Sequence, residues 1–514
     1  MNKLLMLLVL VGCKTEAPLP TGQIAFVRGG LIAPAGNGGR AVGGDREFLE
    51  RAWTPGEAVR LTTVQDEAPA NAECQRLFSV DLGDVDSLVS MGIEAPNTAL
   101  AWSPDGSRLA VGTYTGDVVV VDGWTGEVVA KRSLAETMVK AVAWSPDGRV
   151  VYAGEQSPDA YLHALKATDL SDLWRHRLAD DLETSPPPPA AEIYGVYTLP
   201  GAYTIDVLSG GDLLVSALHS WPTDGGRRNT SRLYRFGPDG EPHMAWPHEG
   251  VADAILKFPR IDEATDRVAV FVTRNAEGPP PDLPVGGAQT LTLSSFDEVG
   301  RFVADPLKPH FASARAWEAF DVAGDTLFVG YSDGRARLWS PDSHRDVELG
   351  TPVLAGDVPI SATLGWGFLR GDEFVVNTGT TNIPWGSNTT ATRPPEAHPR
   401  ENTVWAHGLD GVLRWTWRGE HVIQGLSPSP DGRHLVVGAG KRNADDRRDL
   451  FGALLFRLDG EGSGPDRLQA FCPTESPIFF RQALHNDGRV AVAEFPFSTP
   501  DDAVAGEYRV TVLR

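Results

Sequence analysis

The chain is 514 residues long, with 55 Gly, 39 Pro and an apolar fraction of 41%, a composition that suits a turn-rich β protein and excludes a disordered chain. Its 46 Lys and Arg stand against 68 Asp and Glu, a formal charge of −22, which repels phosphate backbones and argues against a nucleic-acid partner. Length alone would suggest about three domains of ~150 residues, but repeat architectures escape that rule, so internal repeats decide the matter.

In chain order, the first feature is MNKLLMLLVLVGCKTE, where Lys3 precedes an apolar run from Leu4 to Val11. The run is shorter than the ~20 residues that span a bilayer as a helix. It reads as a secretory signal. Leu10-Val11-Gly12-Cys13 resembles the bacterial lipobox, in which a small residue precedes a cysteine that is acylated and becomes the new N-terminus. That resemblance implies removal of residues 1–12, a lipid on Cys13, and a tether over 13–22. Lys14 follows the cysteine, where an Asp would favour inner-membrane retention. The resemblance therefore implies the cell envelope, at the outer membrane, with the periplasmic or surface side left open.

Next come IAFVRGG (24–30), QRLFSVDL (75–82) and DSLVSM (86–91), each a strand candidate. A repeat then begins. The hexapeptide AWSPDG stands at 101–106 and again at 143–148, with relatives SPSPDG at 427–432 and LHNDG at 484–488. Pro-Asp-Gly is a turn with a mechanism: Pro presets φ, Asp caps locally, and Gly takes a positive φ. The first unit reads TALAWS, PDG, RLAVGTY, TGD, VVVVDG, WTGE, VVAKRSL, four short β-rich runs separated by turns. A second unit follows at once, and later units keep the pattern with looser spelling. Seven internal units fit between about 97 and 472.

Four-strand units at a spacing of ~40–60 residues predict an all-β chain folded as a β-propeller. GYSDGRARLWS (330–340) resembles part of a WD-type repeat, and IAFVRGG is similar to the start of TolB-like blades. ALKATDLSDLWRHRL (164–178) and VWAHGLDGVLRWTWR (404–418) resemble quinoprotein-type blades, whose Trp clasps the neighbouring blade. The C-terminal runs SPIFFRQAL, GRVAVAEF and EYRVTVLR add three strands. The resemblance implies a closing blade built from both termini, which makes eight four-stranded antiparallel blades in one domain over 23–514. The closing blade then has one or two strands too many, so seven blades stand as the alternative.

With the strands of a unit lettered a to d from the axis outward, the a–b and c–d turns are short. The b–c connections are long: 221–230, 275–288, 380–402, 441–449 and 496–506, with 33–73 placed in the equivalent position. Antiparallel strands put all b–c connections on one face, and insertions confined to one face mark a binding face. Its candidate residues are Trp221, Arg227, Arg228, Trp385, His398, Arg400, Arg447 and Arg448. Cys74 and Cys472 are expected on the same face and, in an exported protein, to form a disulfide across the ring's seam.

Other motifs carry little. Gly330-Tyr331-Ser332-Asp333-Gly334 matches G-x-S-x-G, but a strand follows it where a nucleophile elbow needs a helix. Gly36 to Ala41 matches G-x-G-x-x-A without a βαβ unit around it. None of the 12 His, including His398 and His407 at the flanks of the longest insertion, makes a metal-ligand spacing. The reading is a non-enzymatic, lipid-anchored, monomeric scaffold without a cofactor. It binds an envelope protein, with a glycan as the second partner class. Two alternatives accompany it: a quinoprotein-like dehydrogenase, and a scaffold similar to the propeller lipoprotein of the outer-membrane β-barrel assembly machinery.

Overall fold

The computed structural model describes residues 74–83, 98–182, 199–223, 226–274, 287–302, 319–331, 334–341, 343–383, 389–441, 450–499 and 503–514, with the backbone of Phe26–Val27 and Gly30–Leu31. Among the described residues five separate four-stranded sheets, an eight-stranded sheet of two units and a five-stranded sheet with one extra strand make eight blades. Blade 1 is Ala99–Trp102, Arg108–Gly112, Asp117–Asp122 and Val128–Ser133. Blade 2 is Met138–Trp144, Val150–Gln156, Tyr161–Lys166 and Asp172–Arg177. Blade 3 is Gly201–Val207, Leu213–Thr223, Gly226–Phe236 and Pro242–Trp246. Blade 4 is Ala254–Asp262, Arg267–Arg274, Gly287–Thr292 and Glu298–Phe302. Blade 5 is Phe320–Ala323, Thr326–Gly330, Arg335–Ser340 and Ser343–Glu348. Blade 6 is Val358–Arg370, Glu373–Asn382, Thr403–Gly408 and Leu413–Arg418, with Val353–Ala355 added beside its first strand. Blade 7 is Val422–Pro428, His434–Gly440, Gly452–Arg457 and Leu468–Pro473.

Blade 8 closes the ring. Ile478–Leu484, Val490–Glu494 and Arg509–Leu513 come from the C-terminal end, and Arg76–Asp81 supplies the outer strand. The surplus strands of the sequence reading resolve in two ways. Phe26–Val27 and Gly30–Leu31 pair with each other and, among the described residues, with no strand of blade 8. DSLVSM lies outside the described residues.

The burial pattern follows from this stacking. A blade is covered on both sides by its neighbours, so its middle strands read as continuous apolar runs. Val118 to Val121 are all buried, whereas the outer strand Val128–Ser133 alternates exposed and half-buried positions. Strand a of each blade packs on strand a of the next, and that of blade 8 packs back on that of blade 1.

The repeated Trp of AWSPDG explains its own recurrence. Trp144 Nε1 donates to the Ala101 carbonyl (2.9 Å) and Trp102 Nε1 donates to the Ala483 carbonyl (2.9 Å), so each joins its inner strand to the previous blade. The Gly of each copy, Gly106 and Gly148, has a φ of 68° and 69°, a region that disfavours any side chain.

The short-turn face is clasped at every interface. Arg108 and Arg132 donate to the Ala167 and Leu170 carbonyls of blade 2, and Trp174 Nε1 to the Pro238 carbonyl of blade 3 (2.8 Å). A Cβ on Gly240 would meet the Trp174 ring at 2.5 Å, so this Trp docks on the next blade's turn as the quinoprotein-type resemblance implies. Arg235 reaches the Leu293 carbonyl, Asp262 accepts from the Gly324 N–H, and Arg345 and Arg370 reach the Leu409 and Gly432 carbonyls. The Asp431 N–H donates to Asn486, and Arg489 donates to the Gly123 and Gly106 carbonyls (2.6 and 2.7 Å). These bonds satisfy backbone carbonyls and N–H groups of the turns.

The candidate binding face and the ring closure

Strand order places the b–c connections opposite the clasped turns, and the long ones among the described residues are of three kinds. The stretch 221–230 is not a loop. Strands b and c of blade 3 run on as a paired hairpin, with Trp221 opposite Arg228 and Pro222 opposite Arg227. Trp221 is only 8% exposed, with its ring 4.3 Å from that of His219. The Arg228 guanidinium lies 6.0 Å from the Trp221 ring, and Arg228 pairs with Asp253 (3.8 Å). The b–c connection of blade 8 holds a second small hairpin, Phe497–Ser498 with Val504–Ala505. The third kind is residues 389–402 of blade 6, which carry no helix or strand.

That segment folds back onto the ring, and it corrects the reading of His398 and Arg400 as surface residues. His398 is fully buried. Its Nε2 donates to the Thr351 carbonyl (3.0 Å), and its Nδ1 accepts the Arg400 N–H (3.1 Å). Arg400 is buried too, and its Nη1 donates to the Glu348 and Leu349 carbonyls (2.8 and 2.9 Å). Thr351 and Leu349 belong to the link between blades 5 and 6. Glu401 accepts from the N–H and hydroxyl of Thr381 (3.0 and 2.6 Å), at the end of strand b. The two side chains therefore fasten the insertion from within; they are not offered to a partner.

Burial sets the chemistry of this sector. It pulls His398 down to about 4, and the guanidinium of Arg400 down to about 10. His421, in the link to blade 7, is likewise held at about 4 by burial, with its ring 4.6 Å from Phe471. Burial also lowers His407, whose Nδ1 faces the Gly411 carbonyl.

Of the remaining candidates, Cys13, Trp385, Arg447 and Arg448 lie outside the described residues, as does the side chain of Arg227. The G-x-G-x-x-A stretch also lies outside them. The G-x-S-x-G stretch is flanked by Thr326–Gly330 and Arg335–Ser340, two strands of one sheet. No group of three or more His, Cys, Asp or Glu among the described residues is placed to hold a metal ion. No helix among them is long and apolar enough to cross a membrane.

Cys74 and Cys472 are joined, with Cα atoms 5.2 Å apart. Their surroundings differ from the sequence reading. Cys472 sits inside the outer strand of blade 7, opposite Ala453, not in the link after it. Cys74 leads into Arg76, which pairs with Leu513 at the far end of strand c. Cys74 thus stands at the c–d edge of blade 8 and does not end a b–c connection; the stretch 33–73 before it lies outside the described residues.

Sequence reasoning missed the charged side of the closure. Glu494 is fully buried and accepts from Arg509 Nε (2.9 Å), Arg509 Nη2 (3.0 Å), the Thr511 hydroxyl, and the N–H groups of Glu475 and Ser476. Glu475 in turn pairs with Arg76 of the N-terminal strand (3.1 Å). Arg489, 1% exposed, lies 3.7 Å from the Trp124 ring and 4.8 Å from that of Trp102. Burial opposes the charge on its partner Asp487, but hydrogen bonds from Arg489 and His485 prevail and hold that carboxyl at about 2. The signal was present: LHNDG is the blade 8 copy of the SPDG turn, and Arg489 follows it directly. Trp124, 48% exposed, is the most prominent aromatic surface of this closure.

A family profile described as the anaphase-promoting complex subunit 4 WD40 domain matches residues 73–147. The match runs from the outer strand of blade 8 through blade 1 into strand a of blade 2. No curated protein matches this chain at the level of sequence. Among solved structures, BamB from Moraxella catarrhalis is 14% identical at a TM-score of 0.45, over 86% of this chain and 98% of that one. The computationally designed Ika8 protein is 13% identical at 0.47, over 81% and 96%. The C-terminal WD40 domain of Sif2 is 14% identical at 0.43, over 86% and 97%. The blade topology and the profile match together describe a WD-repeat-like β-propeller.

Proposed function

We propose that this propeller is a non-enzymatic scaffold that binds a protein partner through its b–c side, tethered to the bacterial envelope by a lipid on Cys13. One observation carries the binding half: the two faces are built to different rules. Every interface on the short-turn face is tied by a side chain bonded to the backbone of a neighbouring blade's turn, which leaves little freedom to evolve a contact there. The b–c side carries the extended hairpin of blade 3, the small hairpin of blade 8 and the folded-back segment of blade 6, elements the ring does not need for closure. Loops on a rigid scaffold are where recognition residues accumulate, and WD-type propellers generally bind proteins. The tether half rests on the Leu10 to Cys13 motif alone.

The test is an affinity pull-down with the mature protein and with a variant whose residues 276–285 and 385–396 are replaced by short Gly-Ser turns. Loops of this size exchange at a cost of about 1 kcal/mol or less, so the ring is expected to fold. Loss of a wild-type partner supports the reading; an unchanged set of partners moves the binding surface elsewhere. Metabolic labelling with an alkynyl fatty acid, compared between wild type and Cys13→Ser, tests the tether.

A further inference from the structure

We propose that residues 389–402 of blade 6 form a proton-released strap: one proton taken up by His398 undocks the segment from blades 5 and 6 and remodels the b–c face. The regulatory part of this inference rests on the proposed role of that face; the release itself does not.

Both ring nitrogens of His398 are committed, and to groups of opposite kind. Nε2 must carry a hydrogen to meet the Thr351 carbonyl, and Nδ1 must be bare to accept the Arg400 N–H. Only the neutral tautomer satisfies both. A second proton would point an N–H at an N–H in a site without water access. The charges facing the ring do not compensate. Arg400 of the strap and Arg418 of strand d of blade 6 act on the ring, while Glu348 of strand d of blade 5 acts on Arg400. The Glu401 carboxylate accepts from Thr381, and among the described residues no carboxylate is hydrogen-bonded to the imidazole. The guanidiniums of Arg400 and Arg418 repel an imidazolium.

The His398 contact also sits where it controls the rest. Its own N–H donates to the Thr381 hydroxyl (2.6 Å), the group that Glu401 holds. Two residues on, Arg400 grips the 348–349 carbonyls, and its own carbonyl accepts from Thr378. Loss of the His398–Arg400 bond therefore loosens the short run 398–401, which carries all of these anchors. Once released, the imidazole titrates near its ordinary ~6.5. Docked, it resists protonation down to about 4. Between these limits each unit of acidification shifts the docked–released ratio toward release by up to about tenfold.

Hydrogen–deuterium exchange of the mature protein without any partner reads this directly, with times corrected for intrinsic exchange. From pH 7 to pH 5, peptides across 395–402 are expected to lose at least about tenfold in protection, while blade 1 peptides hold theirs. In His398→Asn, whose Oδ1 replaces the Nδ1 acceptor but takes no proton, the strap is expected to be insensitive to pH. Constant wild-type protection overturns the proposal, as does an equal loss in blade 1. Persistence of the response in His398→Asn overturns the role of His398. Should that variant not fold, the wild-type series alone still decides. Because no partner is present, failure of the pull-down and failure of the strap are separate results.

Discussion

Blade 8 and blade 6 have the same four-stranded plan and opposite ways of being held. The closing blade is joined to its neighbours by a disulfide and by Arg489, and its buried charges are paired: Glu494 with Arg509, and Arg489 with the more exposed Asp487. Blade 6 and its links rely on neutral imidazoles, and buried polar atoms of Ser361, Asn377, Asn402, Trp415, Trp417 and His421 have no hydrogen-bond partner. A ring closed by two distant chain segments cannot depend on local turns, so its last joint needs strong ties. A sector inside a continuous chain is kept in place by both neighbours and tolerates imperfect pairing. The contrast has a pH signature: Asp487, held at about 2, loses its charge only in strong acid, whereas His398 and His421, held at about 4 by burial, become a liability in mild acid.

The sharpest way to break the contrast is to cut the disulfide. Cys74→Ser with Cys472→Ser frees the outer strand of blade 8 from blade 7. The bridge spans 398 positions of chain. A loop of that length is expected to contribute up to about 5 kcal/mol through the unfolded state. The variant should melt well below the oxidised wild type, and dithiothreitol should bring the wild type down to it. A Tm indifferent to both would mean that the charges alone close the ring.

The second intervention removes a charge. Arg489→Met takes the guanidinium from Asp487 and leaves the Gly106 and Gly123 carbonyls without this donor, and a loss of about 3 kcal/mol in urea unfolding is expected. Arg489→Lys should recover only part, since a single ammonium cannot reproduce the flat fork that lies against Trp124. Full recovery by Lys would reduce this clasp to simple charge.

The blades were legible in sequence because turns are local. SPDG, TGE and LDG each announce themselves within four residues, and all seven internal units fall where the turns place them. Even the closing strand QRLFSVDL was visible, though not that IAFVRGG would stay apart. The binding face was less legible. In TDGGRR the Asp-Gly-Gly run is a hairpin signal, and the length of the insertion concealed it. His398 and Arg400 looked solvated because polar residues in a long Pro-rich connection usually are. Nothing local reveals that the connection folds back and that the carbonyls of 348–351 wait to receive it. Cys74 escapes the sequence for a related reason: which end of its strand faces which side depends on the register with strand c, a contact 437 positions away (513 − 76).

The smallest intervention tests the histidine side of the contrast. A histidine whose folded pKa is depressed contributes no penalty above its unfolded value of ~6.5 and destabilises progressively as pH falls toward the folded one. For His421, held at about 4, the full penalty is on the order of 3 kcal/mol and accrues between those limits. His421→Phe puts an apolar ring beside Phe471 and Trp417 and removes two buried nitrogens that have no partner. Near pH 7.5 the variant should match the wild type or exceed it by about 1 kcal/mol, the usual gain from deleting an unsatisfied buried polar group. At pH 5 the gap should widen, because only the wild type acquires a buried charge. Urea unfolding at the two pH values measures the difference of differences, which cancels the carboxylate contributions common to both proteins. A gap that does not change with pH would mean that His421 is reached by water. Mild-acid sensitivity would then belong to the strap alone.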